Sequence, residues 1–150
     1  MGYKLGKRSI ANLEGVDERL AAVVRSAIHQ SSQDFSVICG LRTIEQQKAL
    51  VAKGASQTMK SKHIGGLAVD LMAYVDGGRW ELNLYDEIAD AMAIAAKELD
   101  VPVRWGAAWT IPNIAHWDSD MESAMNDYID TRRSQGRRPF IDAPHFELMV

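Results

Sequence analysis

The 150-residue sequence has one cysteine, Cys39, so an internal disulfide bond is excluded. It has no apolar run long enough to cross a membrane, and its basic start, residues 1–8, is not followed by the apolar stretch of a signal peptide. We therefore expect synthesis in a reducing compartment, with neither an export signal nor membrane insertion. Because Cys39 ends an apolar run, we expect a buried, unreactive thiol.

The sequence also lacks an excess of positive charge. It has 17 Lys and Arg residues against 20 Asp and Glu, for a net charge of −3, so no nucleic-acid partner is expected. Internal repeats and low-complexity tracts are absent, as are His-Glu-x-x-His, Gly-x-Ser-x-Gly and the phosphate-binding glycine loop. The length favours a single domain.

The spacing of apolar residues predicts helices and strands in mixed order. Helical spacing occurs in four stretches, with Asp17, Thr43 and Asn83 as predicted N-caps: 17–30, 43–53, 83–99 and a part of 111–139. Strand patterns occur in four others: 35–39, 67–75, 103–105 and a segment that begins at His145. The sequence therefore predicts an α+β domain in which three to four helices flank a small antiparallel sheet.

Residues 61–70 contain the first half of a candidate metal site. His63 precedes a predicted strand, and Asp70 lies inside that strand with apolar neighbours on both sides. A carboxylate in this position is costly to bury unless it is paired or binds a metal. Gly65 and Gly66 allow a turn that returns the His63 ring to the Asp70 carboxylate.

The C-terminal region contains the second half. His145 begins an alternating, strand-like segment, and Asp142 precedes it by three residues. With His63, Asp70 and His145 as ligands, a zinc ion would keep its fourth position for water, the arrangement typical of catalytic zinc. Asp142 is then a candidate base. His116 is an alternative third ligand, but the sequence around His145 fits a metal site better.

These residues resemble the D-alanyl-D-alanine carboxypeptidase and dipeptidase family of zinc metallopeptidases, and within it most closely the phage L-alanyl-D-glutamate endopeptidases, or endolysins. The family pattern is Ser-x-His-x-x-Gly-x-Ala-x-Asp, then an acidic residue with histidine three positions later. It is matched by Ser61, His63, Gly66, Ala68, Asp70, Asp142 and His145. The similarity runs from about residue 7 to residue 148, although Ala107 stands where the family usually has a second glycine.

The resemblance implies a zinc-dependent peptidoglycan endopeptidase that cuts the L-alanyl-D-glutamate bond of stem peptides and contributes to bacterial lysis. The alternatives are a D-alanyl-D-alanine carboxypeptidase and, outside enzymes, a zinc-stabilised cell-wall-binding module. The resemblance also implies a monomer, made in the host cytoplasm, that reaches periplasmic peptidoglycan through a membrane pore. We expect residues 1–150 to form the catalytic domain, without a separate cell-wall-binding module.

The same resemblance suggests roles for four further residues. Arg42 would otherwise be interpreted as part of a surface ion pair; the family suggests that it orients substrate. Ser61 is expected to help hold the metal ligands. Trp105 and Trp109 are either walls of the substrate cleft or core aromatic residues, and the sequence leaves both alternatives open.

Residues 111–139 match the family least. Residues 118–122 partly resemble a calcium-binding loop, but Ser123 and Ile129 occupy the positions that require glycine and glutamate, so no calcium site is predicted. A basic cluster follows: Arg132, Arg133, Arg137 and Arg138. We interpret it as a solvated face, with contact to an anionic wall as the alternative.

Overall fold

The structure is a computed structural model that describes residues 2–56 and 58–150. Its helices and strands are, in chain order, α1 (Lys7–Asn12), α2 (Glu18–Gln30), β1 (Phe35–Cys39), α3 (Ile44–Ala52), β2 (Ala68–Tyr74), β3 (Gly78–Arg79), α4 (Leu82–Leu99), β4 (Val103–Trp105), α5 (Met121–Ser134) and β5 (His145–Leu148). Two short 3-10 helices cover Lys62–Gly65 and Ile114–His116. The predicted α+β class is confirmed, with α1 as a helix beyond the expected number.

The order of strands in the sheet brings distant parts of the chain together. The order of the strands across the sheet is β1-β2-β5-β4, and every pair is antiparallel. The short β3 pairs with the end of β2, at Ala73 and Tyr74, beyond the residues that pair with β5. Asp70 in β2 is opposite His145 in β5 and, across the other edge, opposite Cys39 in β1. The last strand therefore lies next to the middle of the chain at Asp70.

The helices bury their apolar faces in one core shared with the sheet. The long helices α2 and α4 pack against each other, and both contribute buried side chains to the core, among them Leu20, Val24, Ile88 and Met92. Asp17 caps α2, and Thr43 begins α3 with the predicted capping box. No helix in the described ranges is long and apolar enough to span a membrane.

The predicted cap of α4 is wrong. The helix begins at Leu82 after Glu81, whose side chain makes no capping hydrogen bond, and Asn83 lies inside the first turn. The buried Tyr85 hydroxyl accepts a hydrogen bond from Ala73 N at 3.1 Å and donates to Arg79 O at 2.7 Å. We attribute the earlier start to this tertiary anchor, which fixes where the chain enters the helix.

The helix predicted within residues 111–139 is α5. Its N-cap is Asp120, which accepts a hydrogen bond from Ser123 N at 2.9 Å, and Asp90 of α4 accepts one from Met121 N at 2.8 Å. Four residues of α5 are buried: Met121, Ala124, Met125 and Tyr128. In the stretch that partly resembles a calcium-binding loop, Asp120 therefore caps the start of α5.

A cluster of carboxylates lies where α4 meets the start of α5. Asp86 Oδ1 is buried and has no hydrogen-bond partner among the described residues. Burial raises the pKa of Asp86 from its ordinary value of 3.8 to about 6. Four nearby carboxylates add to this rise: Glu122, Asp90, Asp120 and Glu87. Ionised Asp86 therefore destabilises the folded chain at neutral pH.

We expect Asp86→Asn to stabilise the protein by about 1–2 kcal/mol at pH 7, because the amide carries no charge to desolvate or repel. The gain should shrink as the pH falls from 6 to 4, where wild-type Asp86 takes up its proton in the folded state. Thermal unfolding at pH 7 and pH 4.5 measures both effects, with the exposed Asp127→Asn as control. A variant no more stable than wild type at pH 7 would contradict the assignment.

Candidate metal site and catalytic cleft

A tight 3-10 turn over residues 62–65 positions His63. Ser61 begins the turn, and its hydroxyl accepts a hydrogen bond from His63 N at 3.2 Å. Gly66 ends the turn with φ of +72°, a conformation that favours glycine, and a Cβ there would collide with the carbonyl of Gly15. The turn folds His63 back onto β2, as the glycine pair predicted.

Asp70 lies between the two histidines. Its Oδ1 is 3.4 Å from His63 Nε2 and 3.4 Å from His145 Nδ1. The opposite nitrogens are occupied: His63 Nδ1 donates to Gly40 O at 2.9 Å, and His145 Nε2 donates to Glu147 Oε1 at 2.8 Å. In its neutral form each ring therefore turns a lone pair toward Asp70.

The electrostatics of this group favour a bound cation. Burial raises the pKa of Asp70, but His145 and His63 outweigh burial and hold it well below its usual range. Burial lowers the pKa of His63, but contacts with Asp70 and Cys39 outweigh it and raise the value to about 10. If no other positive charge is near, the Asp70 carboxylate therefore favours the protonated, positively charged form of the two histidine rings. A divalent cation would supply that charge instead.

The distances and donor types fit zinc. Two ligands about 2.0–2.1 Å from a tetrahedral zinc ion lie about 3.3–3.4 Å apart, and both imidazole-to-carboxylate contacts measure 3.4 Å. Asp70 Oδ1 is also buried without a hydrogen-bond partner in the described part of the chain. An orphaned buried oxygen of this kind is costly unless it is coordinated. His63, Asp70 and His145 are therefore a candidate zinc site.

Cys39 offers a second possible ligand set. Cys39, His63 and Asp70 have ligand atoms within 4.8 Å of one another. However, Cys39 Sγ lies 3.7 Å from His63 Nδ1, the nitrogen that donates to Gly40 O, and it accepts a hydrogen bond from Arg42 Nη2 at 3.2 Å. The structure corrects the expectation of a buried thiol, since Cys39 is partly exposed at the site. No local sequence signal pointed to it, because its place at the site depends on the strand register that puts Cys39 opposite Asp70.

Glu147 is a site residue that the sequence analysis missed. Its side chain is 5% exposed, and besides His145 it contacts Arg104 Nη2 at 2.8 Å and Lys62 Nζ at 3.3 Å. Burial raises the pKa of Glu147, but His145 and Arg104 outweigh it and lower the value to about 2. Glu147 is therefore an anion that holds the His145 ring. The two residues share a face of β5 by strand alternation, which was the available signal.

A cavity of about 620 Å³ opens beside the candidate zinc site. Every predicted site residue except Trp105 lines it, and so does Phe140. Trp109 stacks against Phe140, with ring centroids 6.2 Å apart, and its centroid is 5.5 Å from that of His145. His116 is exposed in the second 3-10 helix and does not line the cavity.

Trp105 is a core residue. Its side chain is fully buried, stacks on Phe146 and donates from Nε1 to Ala143 O at 2.7 Å. The cleft-wall alternative is therefore wrong for Trp105. Its hydrogen bond instead supports the segment that joins Asp142 to His145.

Asp142 is held next to His145 by backbone contacts with Gly106. Asp142 N donates to Gly106 O at 2.8 Å, and Gly106 N donates to His145 O at 2.8 Å. A Cβ at position 106 would collide with the Asp142 carbonyl, so this close approach requires glycine. Burial raises the pKa of Asp142; the charge of Asp70 adds to the rise, and the histidines oppose it.

Arg42 lies where β1 gives way to α3, and its guanidinium is fixed by neighbours. Nη1 donates to Gln47 Oε1 at 2.7 Å and contacts Ser61 Oγ at 3.4 Å, while Nη2 lies 3.9 Å from Asp70 Oδ2. Ser61 therefore contacts both His63 and Arg42. Arg42 lines the cavity beside the candidate zinc site, and its action on substrate stays a prediction.

Comparison with known proteins agrees with this geometry. The profile of the family described as phage L-alanyl-D-glutamate peptidase matches residues 1–149. The chain is 33% identical to the L-alanyl-D-glutamate peptidase of Escherichia phage T5, covering 99% of this chain and 100% of that protein. It is 34% identical to the enzyme of that name from Listeria phage A118, covering 69% of this chain and 37% of that protein.

A solved structure is similar as well. The crystal structure of the Serratia marcescens L-Ala D-Glu endopeptidase ChiX matches with a TM-score of 0.69 and 34% identity, covering 95% of this chain and 86% of that chain. The fold, the candidate site and the sequence similarity together identify the chain as a peptidase. The chain belongs to the phage L-alanyl-D-glutamate peptidase family.

We expect Glu147→Ala to weaken zinc binding about 10- to 100-fold, because His145 loses the acceptor that fixes its ring. Glu147→Gln keeps an acceptor oxygen and should lose less. Competition with a chromophoric chelator measures the affinity, and thermal unfolding of the metal-free proteins separates metal loss from fold loss. Equal zinc affinity in wild type and a folded Glu147→Ala variant would contradict this role.

Proposed function

We propose that this chain is a zinc-dependent endopeptidase that hydrolyses the L-alanyl-D-glutamate bond of peptidoglycan stem peptides. The observation that carries the proposal is the convergence of His63, Asp70 and His145 at a cleft that Asp142 also lines. The chemistry of these groups suits peptide hydrolysis, and the names of the family and of its relatives supply the bond.

His63 Nε2, the Asp70 carboxylate and His145 Nδ1 would hold the zinc ion. When bound, zinc supplies Lewis acidity at the scissile carbonyl and lowers the pKa of water to about 7. Asp142 accepts the proton of the attacking water molecule and then delivers it to the leaving amine. The half-buried position of Asp142 at the cleft, which raises its pKa, suits a carboxyl group that must hold a proton between these steps.

Arg42, Trp109 and Phe140 bind and orient the substrate in this proposal. The Arg42 guanidinium is held by Gln47 and Ser61 before substrate arrives, so it can offer its remaining N–H donors to a peptide carbonyl or carboxylate in a fixed direction. Trp109 and Phe140 supply an apolar wall. We propose that the enzyme acts as a monomer and reaches peptidoglycan from the host cytoplasm through a membrane pore.

Product analysis tests the bond assignment. Zinc-loaded protein incubated with purified peptidoglycan should release fragments with new L-alanine carboxyl ends and D-glutamate amino ends, identified by mass spectrometry. A chelated sample should release neither. Release of single D-alanine would replace the proposal with carboxypeptidase activity, and no release despite bound zinc would favour a binding module.

A substitution at Asp142 tests the proton transfer. Asp142→Asn should bind zinc as wild type does, because the three ligands remain, while kcat falls about 100-fold or more because the amide cannot carry the proton. Metal content by mass spectrometry and turnover of a soluble stem peptide measure the two properties. Wild-type turnover in the variant would remove Asp142 from the mechanism.

A further inference from the structure

Four arginines in the last turn of α5 and just after it have no ion pair among the described residues. We call residues 132–138 the arginine segment; its arginines are Arg132, Arg133, Arg137 and Arg138. None has a carboxylate within 4.0 Å in the ranges that the structure describes. Five other arginines are paired: Arg19, Arg25, Arg42, Arg79 and Arg104. The segment therefore presents uncompensated positive charge.

The chain connects this segment to a residue of the cleft wall, Phe140. After α5 it reverses direction, so that Arg137 N donates to Arg132 O at 2.9 Å and the four arginines lie on one turn. Phe140, which lines the cavity, follows closely. The Tyr128 hydroxyl accepts a hydrogen bond from Phe140 N at 2.9 Å and contacts Arg132 Nε at 3.3 Å. Tyr128 thereby ties the segment to the cleft wall.

Charge elsewhere on the protein has the opposite sign. The other end of α5, 14 residues and about 20 Å away, carries Asp118, Asp120 and Glu122. The net charge of the chain is −3, so the protein as a whole does not attract a polyanion. Any electrostatic attraction to an anionic surface must therefore come from a local region of positive charge. The arginine segment is such a region, and it lies close in sequence to Phe140 of the cleft wall.

We propose that the arginine segment docks the protein onto carboxylates of peptidoglycan stem peptides that neighbour the one being cut. This inference rests on the proposed function. Stem peptides carry free carboxylates on D-glutamate and at their C-termini, and guanidinium groups pair well with carboxylates. The polymer is also far larger than the cavity of about 620 Å³, so it must contact protein surface beyond the cleft.

Co-sedimentation with purified sacculi tests the docking. Arg137→Gln/Arg138→Gln is compared with the control Arg8→Gln/Lys97→Gln, which also removes two exposed, unpaired positive charges. All proteins carry Asp142→Asn so that the polymer stays intact. At 50 mM salt we expect the first pair to weaken binding about 3- to 10-fold and the control less than 2-fold. At 300 mM salt the difference should nearly vanish.

A chemical control identifies the partner group. Sacculi whose carboxylates have been converted to amides should bind wild type and the Arg137→Gln/Arg138→Gln variant equally. A difference that persists on amidated sacculi would overturn carboxylates as the partner, and equal loss in both double variants would overturn the docking surface.

A soluble stem peptide separates this inference from the proposed function. In an active background, cleavage of the free peptide should be unchanged by Arg137→Gln/Arg138→Gln, because the peptide has no neighbouring stems. A loss of peptide cleavage would instead assign the segment to the cleft and overturn docking. If wild type cuts no peptide, the proposed function fails, while the sedimentation result still decides whether the segment docks.

Discussion

The site depends on one half-buried carboxylate whose buried oxygen lies between two imidazoles. Asp70 comes from the middle of β2, and its charge is stabilised by His63 and His145, which approach the same oxygen from different parts of the chain, and by Arg42 near the other oxygen. The strand order β1-β2-β5-β4 makes this meeting possible, since it inserts the last strand beside β2. On its other side β5 pairs with β4, and Gly106, which follows β4, holds the Asp142 backbone at the cleft.

Rigid support surrounds this centre on each side. Ser61 and Gly66 shape the turn that returns His63, while Trp105 and Gly106 hold the segment before His145. Glu147 orients His145 and is itself held by two cations. These contacts hold the side chains of the candidate zinc site from several directions, as neighbouring groups do around metal ligands.

Much of this arrangement could be predicted from the sequence. The helices and strands follow from apolar spacing, and the turn at residues 62–66 follows from its glycines and from Ser61. The family pattern then joined His63 and Asp70 to His145, a link across the chain that local periodicity cannot supply. What escaped prediction depended on tertiary contacts: the burial of Trp105, the place of Cys39 opposite Asp70, and the cations that hold Glu147.

The central claim is that zinc binds through His63, Asp70 and His145 rather than through Cys39. X-ray absorption at the zinc K edge, measured on the zinc-loaded protein, tests this most directly. The claim predicts only nitrogen and oxygen neighbours at about 2.0–2.2 Å, with the scattering pattern of two imidazole rings. A sulfur neighbour at about 2.3 Å would contradict it and would place Cys39 on the metal.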